Sequence, residues 1–358
     1  MSLTFVVNTG RCGSTMISRI LYMHPEILSI SEFFSAITGN VTQWNQFPAR
    51  DMDGREMWEL ISAPSPIKDG IVLAGMRAPE MVYPYETGRF DPATGVPTIC
   101  NATLPMLTDD PDALFDQLAV MVPTWPRRSA ADQFRALFNT LAELFGRPVI
   151  VERSGASLPF VSVLRTLFPE ARFVLQYRNG LDCTLSISRH IAGRFHGITR
   201  EAARIAGLPA TASFQEVLAA APEEFNGLIT KPYDVKRIMS YPVPIAYFGQ
   251  TWSWMMQAGI EAVKQLPRDI WTTLQYEQLI ATPREELARL AGFIGIPATP
   301  EWLDKACSSI DPGRVGSAAR GLDPETLTIL QEACEPGMQA IQQLESEYGL
   351  LPRLRLRC

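Results

Sequence analysis

The sequence lacks a basic excess, a cysteine pattern and a long hydrophobic run, and each absence removes a class of function. Lys and Arg number 32 against 38 Asp and Glu, a formal charge of −6, whereas a chain that grips a phosphate backbone carries the opposite balance. A nucleic-acid partner is not expected, and any anion site must be local. The six cysteines, Cys12, Cys100, Cys183, Cys307, Cys334 and Cys358, show no C-x-x-C or His-Cys clustering. That disfavours a structural zinc and a disulfide framework, so they read as reduced thiols and no metal is expected. No apolar run approaches the length of a membrane span, and the N-terminus has no basic segment leading into a long apolar one. A soluble, cytoplasmic protein is expected.

What is present starts at residues 4–23, TFVVNTGRCGSTMISRILYM. Phe5, Val6 and Val7 form a short apolar run, and Gly10 and Gly13 bracket a tight turn. Ser14 and Thr15 then open a segment whose apolar residues, Met16, Ile17, Ile20 and Leu21, recur at helical spacing. Strand, glycine turn and helix in this order aim backbone N–H groups and the positive end of a helix dipole into one concavity, which suits phosphate or sulfate. Arg11 adds a cation. A kinase or ATPase loop would read G-x-x-x-x-G-K followed by Ser or Thr, and the Lys is missing here.

Across the 358 residues, apolar strands alternate with amphipathic helices, which predicts one α/β domain with a central parallel sheet flanked by helices. Residues 39–126 are richer in Pro, Gly and Asp and read as a largely irregular or helical insertion; only 71–74 and 112–121 look regular. Their Trp44, Trp58, Tyr83, Tyr85, Phe90 and Trp125 either cover an acceptor pocket or form a small core of their own, and Arg77 is a candidate to face the site. Strands are predicted at 27–30, 149–151, 172–177 and 270–274, and helices over 129–145, 158–168, 245–266, 283–294 and 323–347. Glu32 follows the second strand, where open parallel sheets bind ligands. It is either a general base or else a solvated loop carboxylate or a helix N-terminal charge. After the 172–177 strand come Arg178, Asn179, Gly180, Leu181 and Asp182, a second strand-Arg-turn-helix, with Asp182 and Ser186 on one helical face. Arg178 is either a surface ion pair or, with Ser186, a clamp for a second phosphate. Residues 311–321, DPGRVGSAARG, are either a flap over a bound anion or a linker.

Three stretches together resemble the sulfotransferases that use 3′-phosphoadenosine 5′-phosphosulfate (PAPS). The Thr9 to Thr15 turn is similar to the family's 5′-phosphosulfate loop, with Arg11 on its basic residue and Gly13, Ser14 and Thr15 on its G-S-T. Arg178 and Ser186 fall on the 3′-phosphate motif R-N/D-P-x-D-x-x-x-S, and YEQL at Tyr276 to Leu279 is similar to the family's Y-E-D-L region. The string S-E-F-F ending at Phe34 resembles the E-F-F string of bacterial trehalose sulfotransferase, whose Glu is the base. The resemblance implies a P-loop-like fold, PAPS as donor and a small-molecule, sugar or lipid hydroxyl as acceptor. It implies Glu32 and Arg11 as the catalytic residues. Gly10, Arg11, Cys12, Gly13, Ser14, Thr15, Met16, Arg178, Ser186 and, from the C-terminal loop, Arg314 would bind the donor. Departures are Cys12 for Ser or Thr, Met16 where many members place a Trp against the adenine, Gly180 for Pro, and Gly155 where cytosolic eukaryotic members carry a catalytic His. His190 and His196 rank below Glu32 as bases. A thiol beside Arg11 at a helix N-terminus implies that Cys12 is acidified and reactive. The alternatives are a nucleotide or small-molecule kinase and a non-catalytic nucleotide-binding module.

Overall fold

The structure, a computed structural model, describes residues 2–38, 47–48, 50–311, 313 and 315–349. Trp44 and Arg314 lie outside the described residues. Strands β1 (Ser2–Asn8), β2 (Ile27–Ser31), β3 (Val149–Arg153), β4 (Arg172–Tyr177) and β5 (Trp271–Gln275) form one sheet in the order β2-β3-β1-β4-β5. Every pairing is parallel, with Thr4 opposite Val151, Val6 opposite Val174 and Phe173 opposite Trp271. This is the P-loop-like α/β fold, and its strands lie at the predicted places.

The strands are apolar runs because both faces of the sheet are covered. Period-two alternation sends Val6, Val151, Val174 and Leu274 to one face, where they pack with Ile17, Ile20 and Leu21 of the helix Ser14–Tyr22 and with Leu287, Leu290 and Ile294 of the helix Pro283–Ile294. Phe5 and Phe173 go to the other face. Phe5 has no exposed surface there, and its ring centroid lies 5.2 Å from that of Phe168 and 5.7 Å from that of Phe173.

By internal packing the chain divides into two units, one of residues 1–31, 138–187 and 244–358, the other of 32–137 and 188–243. The first holds the sheet. The second is helical among its described residues, with Gly54–Ser62, Pro66–Leu73, Pro111–Met121, Ile191–Ile205, Phe214–Ala220 and Val235–Ser240 as its main helices. Ile71, Phe195, Ile198, Phe214, Val217 and Ile238 form its core.

Regularity in the insertion exceeds what its composition suggests. The helix Gly54–Ser62 starts on a full capping box, with Asp53 accepting from the Glu56 N–H and the Glu56 carboxylate accepting from the Asp53 N–H. Four of the insertion aromatics, Trp58, Tyr83, Tyr85 and Phe90, pack on other rings of the insertion, Trp58 with Phe115 at 4.7 Å, Phe90 with Phe115 at 5.0 Å and Tyr83 with Tyr85 at 5.4 Å between ring centroids, while Trp125 lies under Arg128 at 5.8 Å. That is a local core. Arg77 is exposed, lies over the Tyr85 ring at 4.6 Å and pairs with Glu86 at 2.6 Å.

Phe5→Ala removes an aromatic side chain enclosed by two others, and should lower unfolding free energy by about 3–5 kcal/mol. A denaturant melt checks this. A loss below about 1 kcal/mol would mean that the sheet's second face is not packed around Phe5.

Candidate active site

The turn after β1 is built from left-handed backbone. Gly10, Arg11 and Gly13 have φ of 77°, 56° and 87°, and such residues turn N–H groups into a concavity that holds anions. Asn8 secures its start, accepting from the Gly10 N–H at 2.8 Å and donating to the Ser154 carbonyl of the loop after β3 at 3.1 Å. Gly13 caps the helix Ser14–Tyr22 and admits no side chain, because a Cβ there would lie 2.5 Å from the Tyr276 ring. Three non-glycine residues among those described have positive φ: Arg11, Glu32 and Ala156. They follow the ends of β1, β2 and β3, and strain of about 1–3 kcal/mol each persists where function requires a special geometry.

Arg11 leans across the sheet edge, its Nε donating to Ser186 Oγ at 3.3 Å. Ser186 sits on the helix Gly180–Ser188, which follows β4. β1 and β4 are neighbours whose outgoing connections run in opposite directions, so the contact spans the crevice where doubly wound sheets take ligands. The 5′ loop and the 3′ motif expected from sequence are therefore joined by a hydrogen bond.

Beside them, Arg178 is buried, pairs with Asp182 at 3.2 Å and lies over the Tyr276 ring at 4.6 Å. The plain surface ion pair is thus excluded by burial. Asn179 Oδ1 accepts from the Leu181 and Asp182 N–H groups and starts the helix, while its own N–H donates to Glu277 Oε1 at 2.9 Å. Burial pushes the Glu277 carboxyl up, the Asn179 N–H and Arg178 pull it down, and Asp182 adds to the rise. Arg153 at the end of β3 is buried and donates to Ser18 Oγ at 2.8 Å and Ser31 Oγ at 3.2 Å, tying β2 and the first helix to the sheet.

One sequence expectation is overturned. Cys12 has no exposed surface, and burial followed by the neighbouring Cys183 thiol pushes its pKa far up, more than Arg153 and Arg178 lower it. Its thiol is closed off from solvent, and its carbonyl accepts from Gln176 Nε2 at 3.2 Å. Of the other loop residues, Ser14 is buried, Thr15 is half-buried and Met16 packs partly against the core around Ile17.

In the second unit, Glu32 has φ 57° and opens the short helix Phe33–Ile37. It is nine-tenths buried, and its carboxylate accepts from the Ser35 hydroxyl. The same unit holds charges that sequence reasoning missed. Burial lowers the pKa of Lys68, and the nearby carboxylates of Glu32, Glu80 and Asp69 act against it. Glu80 meets His190 Nε2 at 3.3 Å, while His190 Nδ1 accepts from the Ala192 N–H at 3.3 Å. The ring therefore carries its proton on Nε2 and gives it to Glu80, which leaves neither nitrogen as a vacant base. Burial, helped by Arg200, brings His196 down to about 4. No local pattern in the sequence announces Lys68 or Glu80, because Lys68 meets Glu32 and Glu80 only through the tertiary fold.

The profile of the sulfotransferase family matches residues 4–221, a stretch that holds β1 to β4, Arg11, Glu32, Arg178 and Ser186. The chain belongs to the sulfotransferase family. No curated protein matches it. Among solved structures, this sulfotransferase is similar to the sulfotransferase domain of the curacin biosynthetic pathway, with 15% identity, 98% of each chain covered and a TM-score of 0.44. It is similar to the sulfotransferase domain of the Synechococcus PCC 7002 olefin synthase, with 14% identity, 97% of this chain and 94% of that one covered and a TM-score of 0.43. The sulfotransferase of Alicyclobacillus acidocaldarius gives 14% identity, 98% and 96% coverage and a TM-score of 0.41.

Glu277 supplies a pH test of the site. A carboxyl whose folded pKa lies above its unfolded value favours the folded state less as pH rises, so the cost grows from about the ordinary value of 4.5 through the raised one. Glu277→Gln keeps an acceptor for the Asn179 N–H and cannot ionise. Its stability relative to the wild type should rise across that window and level off above it, and melts at a series of pH values read the difference. Parallel stability profiles for the two proteins would contradict the raised pKa.

Proposed function

We propose that this family member moves a sulfuryl group from PAPS to a hydroxyl of a small-molecule, sugar or lipid acceptor and releases adenosine 3′,5′-bisphosphate. The observation that carries the reading is the Arg11–Ser186 hydrogen bond across the β1–β4 crevice. It brings the turn that resembles the 5′-phosphosulfate loop to the helix that resembles the 3′-phosphate motif. A donor with anionic groups at both ends of one nucleoside fits such a pair. The left-handed turn supplies amides for one end, and Arg178, held by Asp182 and Tyr276, supplies a fixed guanidinium for the other. PAPS supplies the activated sulfuryl group. With a reduced-thiol protein, the reading includes a cytoplasmic location.

Sulfuryl transfer, like phosphoryl transfer, gathers charge on the leaving oxygen in a loose transition state, so fixed electrostatics matter most. In this reading Arg11, the loop amides, Ser14 and Thr15 stabilise that oxygen. Glu32 accepts the proton of the acceptor hydroxyl. Its left-handed backbone and its Ser35 contact hold the carboxylate in one orientation, which supports the assignment. The vacant-base role of His190 loses support because both of its nitrogens are engaged.

Two mutants separate the roles. Glu32→Gln should leave affinity for adenosine 3′,5′-bisphosphate nearly unchanged and lower single-turnover transfer by about 10²- to 10⁴-fold. Arg11→Ala touches the donor in ground and transition states, and should damage both binding and transfer. Acceptors for the assay come from a screen of hydroxylated sugars, lipids and phenols with labelled PAPS. Wild-type turnover in Glu32→Gln would remove Glu32 as the base.

The 3′ assignment has its own test. Arg178→Ala should weaken adenosine 3′,5′-bisphosphate by about 2–4 kcal/mol, the range for deleting one side of a buried charge-assisted contact, and barely change 5′-AMP. Equal losses for both nucleotides would remove it.

A further inference from the structure

Asp182 makes more bonds than the pairing of Arg178 requires. Its Oδ2 accepts from Arg178 Nη2 at 3.2 Å and from the Gly316 N–H at 2.7 Å, and its Oδ1 accepts from the Ser317 hydroxyl at 3.0 Å and the Ala318 N–H at 2.8 Å. Four donors on two oxygens fill the capacity of a carboxylate. Asp182 is 2% exposed, so these bonds are made out of water, where charge-assisted contacts are strong and costly to lose. Three of the four donors come from a segment 134 to 136 residues further along the chain.

Among the described residues, little else holds this segment there. Gly316 is left-handed, with φ 72°, and leads into the five-residue helix Ser317–Gly321. Ala318 is the buried residue of that helix, and Arg320 donates to the Gly313 carbonyl at 3.4 Å. The other partner of Asp182, Arg178, has its guanidinium plane set by the Tyr276 ring. One carboxylate therefore fixes both the direction of a buried cation and the position of the loop beside it.

We propose that Asp182 is a positioning residue that latches residues 316–318 to Arg178 and thereby sets the preference of the crevice for nucleotides with a 3′-phosphate. The inference rests on the proposed donor reading. Asparagine cannot replace the carboxylate, because its amide presents N–H groups to donors that need an acceptor. Asp182→Asn should loosen the segment and the cation together, whereas a surface Asp would do neither.

The test measures three things on the full chain for wild type, Asp182→Asn and Ser317→Ala. These are affinity for adenosine 3′,5′-bisphosphate, affinity for 5′-AMP, and amide hydrogen exchange at Gly316 and Ala318. Asp182→Asn should exchange faster at those two amides and lose about 10- to 100-fold in bisphosphate affinity, with little change for 5′-AMP. Ser317→Ala removes one loop-side bond without touching the Asp182–Arg178 pair, and should lose about 2- to 10-fold in the same selective way. If Asp182→Asn does not fold, Ser317→Ala decides alone. Unchanged preference in the folded variants, against a wild type that prefers the bisphosphate, would overturn the latch and leave the donor reading standing. A wild type with no preference would overturn both.

Discussion

The hydrogen bond from Arg11 to Ser186 depends on nearly every other feature of the first unit. Arg11 reaches the helix after β4 only because its backbone is left-handed, and that geometry holds because glycines flank it and Tyr276 excludes a side chain at Gly13. Tyr276 in turn follows β5 and lies over the guanidinium of Arg178. Three strand ends that are far apart in sequence thus converge on one crevice, and the parallel order of the sheet is what brings them to the same edge.

Burial decides which of these groups are structural and which are available for chemistry. Cys12 shows the point most clearly. Beside a cation and at a helix start it reads as a reactive thiolate, yet with no solvent contact and a second thiol nearby it is held protonated. Arg153 is likewise buried into serine contacts that join strands. Arg11 remains half-buried at the turn, so its charge can serve a ligand.

Much of the first unit was legible in the sequence because its signals are local. Apolar runs such as Phe5 to Val7 and Arg172 to Tyr177 mark buried strands, and Gly10 and Gly13 mark the left-handed turn after β1. The same kind of signal was present at Asp53 and Glu56, where a capping box announces a helix inside a stretch whose composition suggests irregular chain. What local patterns cannot carry are contacts across the fold. Asp182 and Gly316 meet across 134 residues. Glu32 and Glu80 both come to Lys68 through the tertiary fold, and the tautomer of His190 follows from Glu80, 110 residues away, and from the Ala192 N–H.

The central claim is that the crevice is built for a nucleotide with anionic groups on both its 3′ and 5′ positions. Calorimetric titration of the wild-type protein with adenosine 3′,5′-bisphosphate and, separately, with ATP in the presence and absence of Mg²⁺ tests it most directly. The account predicts tight binding of the bisphosphate, indifferent to Mg²⁺, and weak binding of ATP. Tight, Mg²⁺-dependent ATP binding with no response to the bisphosphate would contradict it.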